Sequence, residues 1–174
     1  MNLISYENHE SRMQELINFT RTSFNTSHPS PFGASIYDIK SGNLFAQAYD
    51  TVIRTSDPTN HAEMNVIRIA TKKLNSLSLQ GYILYSTCEP CPMCMSACIW
   101  AELDSVVYGA STIEDANKYW PQPSDITHHE LVKHTLSKNK CQVISNVKRN
   151  LCQKLFINCN ALYEKNHLQL PPNR

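Results

Sequence analysis

The chain has almost no net charge. Its 174 residues carry sixteen basic and fifteen acidic side chains, a balance that does not favour a dedicated nucleic-acid binder and leaves room only for a local basic face. Long apolar runs are missing as well. No segment reaches the ~20 residues that a membrane-spanning helix needs. The first ten residues, Met1 to Glu10, lack a basic start followed by an apolar run, so no secretory leader is expected. There is no internal repeat. An even set of cysteines is absent: the seven present are an odd count, which argues against a disulfide framework. A chain of this length is expected to form one domain, 1–174, large enough to bury a core without cross-links.

What is present is a split cluster of metal-ligand types. His61-Ala62-Glu63 lies in one segment, and Pro90-Cys91-Pro92-Met93-Cys94 follows after 26 intervening residues. His61, Cys91 and Cys94 supply three zinc-type ligands, and Glu63 stands two residues from one of them. A catalytic zinc site needs three protein ligands, a fourth position for water and a nearby base. Such a site suits metal-assisted hydrolysis, with Glu63 as the proton shuttle. The cysteines then read as ligands plus buried thiols in a reducing, cytoplasmic compartment. Cys98 is expected in the core, and Cys141, Cys152 and Cys159 as core or surface thiols.

Local sequence places both halves at helix starts. Asp57-Pro58-Thr59-Asn60 reads as a turn leading into capping residues. Ala62 to Leu74 is then helical, with Val66, Ile67, Ala70 and Leu74 on an apolar stripe. Tyr82 to Ser86 reads as a buried strand. Met93 to Ala101 reads as a helix opened by Pro92, so both cysteines sit near a helix N-terminus that favours the thiolate. Each part has a plainer reading. Asn60 and Glu63 are also the ends of a capping box. Cys-x-x-Cys also suits a redox pair or half of a structural zinc site. Cys88 repeats the Cys91–Cys94 spacing and is a candidate fourth ligand of a closed site, which would leave Glu63 without a role.

The remaining elements alternate. A helix is expected over 9–26, with Met13, Leu16, Ile17 and Phe24 inward. Strands 34–39 and 44–49 are joined by Lys40-Ser41-Gly42-Asn43, a hairpin signal. A strand at 105–108, a helical stretch at 126–137, a short strand at 142–145 and a helix at 147–163 complete a layered α/β domain. Tyr119-Trp120-Pro121-Gln122-Pro123 is expected as a loop at a pocket mouth, its aromatics stacking on a planar base or only pinning the loop. His128, His129 and His134 are expected as exposed helix residues, and Lys148-Arg149 with Lys154 as a solvated face.

The His-x-Glu and Pro-Cys-x-x-Cys pair is the signature of zinc-dependent nucleobase deaminases. From Pro31 to Tyr108 the chain resembles the purine-deaminase branch of the cytidine deaminase-like superfamily. Pro31-Phe32-Gly33-Ala34, the segment Asp57 to Arg68, and Leu84 to Cys94 with Ile99-Trp100-Ala101 carry the resemblance. The last of these is most similar to bacterial guanine deaminases. The resemblance implies a three-layer α/β/α fold with a mixed five-stranded sheet, a bound Zn2+, and a homodimer in which the tail 168–174 is disordered or reaches the partner. It implies that Cys88 is not a ligand, and that Asp50, Ala62 and Trp100 lie at the substrate; Trp120 joins these candidates from its place in the 119–123 loop.

Two departures stand out. The family usually carries asparagine where this chain has Asp50, eleven residues before His61. An ionised aspartate only accepts hydrogen bonds, whereas an amide also donates; Asp50 is otherwise a turn cap. Guanine deaminases of this type also use a carboxylate after the strand ending at Tyr108. Here Pro121-Gln122 falls near that position, and Asp115 and Asp125 do not align with it.

The leading expectation is hydrolytic deamination of a purine base or related amino-heterocycle, with guanine first. The alternatives are adenosine-to-inosine editing of tRNA, which requires a basic face and salt-sensitive binding, and a non-catalytic zinc-stabilised interaction module.

Overall fold

The computed structural model describes residues 6–123, 126–135 and 141–168. Helix α1 (Tyr6–Arg21) precedes the hairpin β1 (Gly33–Asp38) and β2 (Leu44–Tyr49). A single turn, α2 (Val52–Thr55), leads to α3 (Ala62–Leu74), β3 (Tyr82–Cys88), α4 (Pro92–Trp100) and β4 (Ser105–Ala110). Then come α5 (His128–Lys133), β5 (Gln142–Ile144) and α6 (Arg149–Lys165).

The five strands form one mixed sheet in the order β2-β1-β3-β4-β5. β1 is antiparallel to β2 and β3, while β3, β4 and β5 run parallel. Helices cover both faces, as expected. The period of two along each strand divides the core. Tyr37, Ile83, Tyr85 and Val107 pack with Met13, Leu16 and Ile17 of α1 and Leu155 and Phe156 of α6. Ile36, Leu84 and Val106 pack on the other face with Val66 and Ala70 of α3 and Met95 and Cys98 of α4. Cys141 joins that second cluster, and Cys152 and Cys159 join the first, so all three are core thiols.

Some boundaries differ from the periodicity. The first helix ends at Arg21 and continues only as a 3-10 turn over Thr22–Asn25. The last helix starts at Arg149 and not 147, because Lys148 adopts φ 50 and breaks the helical path. Arg149 is not part of a solvated face. Its guanidinium holds the buried Asp115 at 2.8 Å and also meets Glu114. Gly33 is required by contact: a Cβ there would lie 1.9 Å from the Thr20 hydroxyl of α1. That close approach sets the start of β1, where the Gly33 N–H donates to Thr87 Oγ1 at 3.0 Å. Residues 169–174 and Asp125 lie outside the described residues. No described helix is long and apolar enough to cross a membrane.

Candidate active site

The cavity opens at the C-terminal ends of β3 and β4, where parallel strands and their crossover helices leave a crevice. α3 and α4 both begin there. His61 is the N-cap of α3, extended at φ −61, ψ 158, and its side chain makes no capping bond. Cys91 is the N-cap of α4 in nearly the same conformation, with Pro92 in the first turn. Both cap positions thus present a ligand atom instead of a capping oxygen. Cys94 follows one turn into α4 and is fully buried. The donor atoms of His61, Cys91 and Cys94 lie within 4.8 Å of one another, the one such group among the described residues. His61 Nδ1 stands 3.7 Å from Cys91 Sγ and 3.6 Å from Cys94 Sγ.

One imidazole nitrogen and two sulfurs converging on a point fit zinc by donor type. The Cys94 thiol bonds to Cys91 and, despite burial, holds the Cys91 thiol down at about 4, with His61 assisting. The same bond, with burial, pushes Cys94 far up. Cys88 is not in the group. It ends β3, its Sγ is 3.6 Å from Thr112 Oγ1, and burial pushes its thiol well above the usual range. The closed site with Cys88 as fourth ligand is therefore not formed.

Glu63 is 5% exposed and opens into the cavity. It makes no capping box: the N-cap is His61, not Asn60. Its Oε1 accepts a bond from Ser86 Oγ at 3.1 Å. The alternation of β3 turns Leu84 and Ser86 towards α3, which is how the hydroxyl reaches the carboxylate. Burial pushes the Glu63 carboxyl up, and the Cys91 charge adds to this. For His61, burial pulls down, but the bond to Cys91 and the nearby Glu63 and Asp50 carboxylates raise it overall.

The cavity measures about 380 Å³. Its apolar walls include Phe32, Ile113, Trp120, Pro121 and Ile126, and its polar lining includes Asp50, Glu63, Glu89, Thr112 and Gln122. Trp120 is 2% exposed and pinned edge-on by Phe32, Phe156 and Tyr163 at centroid distances of 6.2, 5.8 and 6.2 Å. It both fixes its loop and forms a wall. Tyr119 packs on the same α1/α6 core and does not line the cavity. Asp50 also combines two roles: it is buried against the cavity and accepts the Val52 N–H at 3.1 Å, closing the turn into α2.

Two expected site residues lie elsewhere. Trp100 is 86% exposed at the end of α4 and does not line the cavity. The turn that buries Met95 and Cys98 points position 100 away from the sheet. Ala62 is fully buried in the α3/α4 core, its methyl facing that core and not the cavity. Asp115 is also remote from the cavity wall, held by Arg149, Gln153 and the Ser111 N–H. His128 corrects the reading of exposed histidines: it is 2% exposed and 2.7 Å from Glu89 Oε1. His134 is exposed, and the His129 side chain lies outside the described residues. Sequence reasoning missed Ser86 and the Glu89–His128 pair. Strand alternation pointed to the first, but nothing local links residues 39 apart.

The family model of the "Cytidine and deoxycytidylate deaminase zinc-binding region" matches residues 6–110, more than half of the chain. The chain belongs to this family. The deaminase is 38% identical over 109 residues to guanine deaminase of Bacillus subtilis, covering 63% of this chain and 69% of that protein. It is 40% identical over 80 residues to the tRNA-specific adenosine deaminase of Aquifex aeolicus, 46% of this chain and 52% of that one. It thus spans about half the length of that tRNA deaminase. A solved guanine deaminase from Nitrosomonas europaea superposes with a TM-score of 0.75 at 24% identity, over 87% of this chain and 84% of that one; this likeness shows the fold. The deaminase is an enzyme of the hydrolytic, zinc-binding kind, and its His61, Cys91 and Cys94 group suits the metal.

Proposed function

We propose that this protein removes the amino group of a free purine base or closely related amino-heterocycle as ammonia, with guanine the first substrate to test. The observation that carries the reading is Glu63. It is a buried carboxylate beside the three ligand atoms, held by Ser86 and facing a cavity sized for a bicyclic base. A zinc ion held by His61, Cys91 and Cys94 would supply Lewis acidity towards water and substrate. Glu63 takes a proton from the attacking water and delivers it to the ring nitrogen. It then moves the second proton to the departing amine, so that the C–N bond breaks and ammonia leaves. Phe32 and Trp120 wall the ring, and Asp50 offers an acceptor to a ring or amino N–H.

Similarity to a guanine deaminase of Bacillus subtilis supports the base as substrate. So does the cavity lining, which among the described residues includes Asp50, Glu63 and Glu89 but no lysine or arginine. Such a wall favours an uncharged, N–H-rich ring over a phosphate-bearing strand. We further propose a reducing compartment, supported by seven free thiols, and a homodimer, supported by the exposed Trp100, Leu74 and Leu77 near the α3–α4 pair. The decisive experiment is ammonia release from guanine, adenine, guanosine, cytosine, pterin- and triazine-type amines and tRNA, with Glu63→Gln beside the native enzyme. Guanine-type turnover abolished in the variant is expected; turnover of tRNA alone would replace the reading.

A further inference from the structure

Glu89 occupies an unusual place in the wall. It stands between the end of β3 and the Pro90-Cys91 segment, and it is 9% exposed. Its backbone N–H donates to Ala110 O at 2.8 Å, and its carbonyl accepts Thr112 Oγ1 at 2.8 Å. Its carboxylate Oε2 accepts the Thr112 N–H at 3.1 Å and the Ser111 hydroxyl at 3.4 Å. The other oxygen, Oε1, faces His128 Nδ1 at 2.7 Å. An ionised carboxylate only accepts, so Nδ1 carries the proton of that bond. His128 is the first residue of α5, and its ring also packs edge-on against Tyr108 at 5.2 Å.

One side chain therefore ties two segments, 111–112 and the start of α5, to its own at the cavity. Ile113 follows the gripped Thr112, Ile126 and Thr127 precede the gripped His128, and Pro90 adjoins Glu89 itself; all four line the cavity. α5 is only six residues long, too short to hold a helical position without tertiary contacts. Both carboxylate oxygens of Glu89 are engaged in these bonds, Oε2 with residues 111 and 112 and Oε1 with His128.

We propose that Glu89 and His128 are positioning residues whose buried bond fixes the Ile113 and Ile126 walls and thereby sets substrate affinity and the size of ring accepted. Neither group takes part in proton transfer. The pair acts on the width of the slot, so its loss weakens binding more than turnover. Misplacing a wall by about 1 Å is enough for large kinetic effects.

The test uses the full-length, zinc-loaded protein and the variants His128→Ala, His128→Asn and Glu89→Gln. The inference rests on the deaminase reading only in its kinetic arm. In His128→Ala we expect KM for the preferred base to rise about ten-fold or more, with kcat changed by less than about three-fold. Zinc content should stay at the native value, and bulkier ring amines should gain relative to the preferred base. His128→Asn restores an N–H near the position of Nδ1 and should recover most of the affinity. A purely structural role would lower thermal stability and the active fraction, and hence apparent kcat, while leaving KM and the substrate ranking unchanged; that outcome overturns the proposal. Hydrogen exchange supplies an arm independent of turnover. Faster exchange of the amides at 126–133 and 111–113 in His128→Ala, and not in His128→Asn, is expected, and native protection in both variants overturns the clasp. Should the native protein release no ammonia from any amine, the deaminase reading falls while this exchange arm still decides the clasp. If His128→Ala does not fold, Glu89→Gln carries the same comparison, since it keeps the shape and removes the charge.

Discussion

At Glu63, a carboxylate is kept out of water and beside one hydroxyl. Glu63→Gln keeps the shape but cannot accept and return a proton. We expect zinc content and melting temperature near native, with turnover down by about 10²–10⁴-fold or more, since general acid–base catalysis alone spans that range. Near-native ammonia release would remove the proposed mechanism. Asp50 is the second informative residue. It lines the cavity and also holds the turn into α2. Asp50→Asn adds a donor and keeps an acceptor, so kcat/KM should shift by about ten-fold towards amines that present an acceptor to position 50 and away from those that present an N–H, the effect of a buried hydrogen-bond mismatch of about 1–3 kcal/mol. The measurement is kcat/KM over the amine panel, and identical profiles would reduce Asp50 to a turn residue. The convergence of His61, Cys91 and Cys94 was legible because short spacings put them on two helix starts, and Glu63 lies in the cavity lining beside them. Sequence reasoning misplaced Trp100 and Ala62, whose directions depend on how α4 and α3 lie against the sheet. It also read His128 as exposed, because its partner Glu89 is remote in sequence.

Among the elements, every long helix and strand was anticipated from apolar pattern or helix-start signals, and β2 and α3 matched to the residue. The differences have local causes. Lys148 at φ 50 delays α6, and the turn α2 is too short to leave a periodic signal. The hairpin reading held because Asp38 Oδ1 accepts the N–H groups of Lys40 and Ser41 while Gly42 takes φ 75. The approach of α1 to β1 was not legible, since it depends on two elements meeting at Gly33 and Thr20. Gly33→Ala should cost about 1–3 kcal/mol of stability, as overpacking does, and disturb Phe32 next to it. Thr20→Ala in the same chain should recover part of the loss. Chemical denaturation of the single and double variants measures both, and an additive result would mean that the contact does not matter.

For the molecule as a whole, the sequence pattern implied a mixed sheet between helical layers, but not the strand order β2-β1-β3-β4-β5, which arises from long-range pairing. A buried polar contact joins α1 to the sheet far from the cavity: His9 Nδ1 lies 2.7 Å from the Tyr85 hydroxyl, which also accepts a bond from Arg12. Burial lowers the proton affinity of His9, and the Arg12 charge lowers it further. Its native pKa is thus below 6.5, and between that value and 6.5 the unfolded chain binds more protons. Stability therefore rises with pH through that window, and the penalty is complete below the native pKa. The melting temperature should drop on acidification from pH 7 to 5, and His9→Gln should flatten that drop; an unchanged slope would exclude His9 as its source. The two helix starts bearing His61 and Cys91 are held by apolar packing of α3 and α4 on one sheet face. Chelation should therefore leave the circular dichroism spectrum intact while abolishing turnover, and added zinc should restore it within mixing time. Activity in a living cell would then track the free zinc supply on the timescale of ion exchange, with no round of protein synthesis or refolding between the inactive and the active pool.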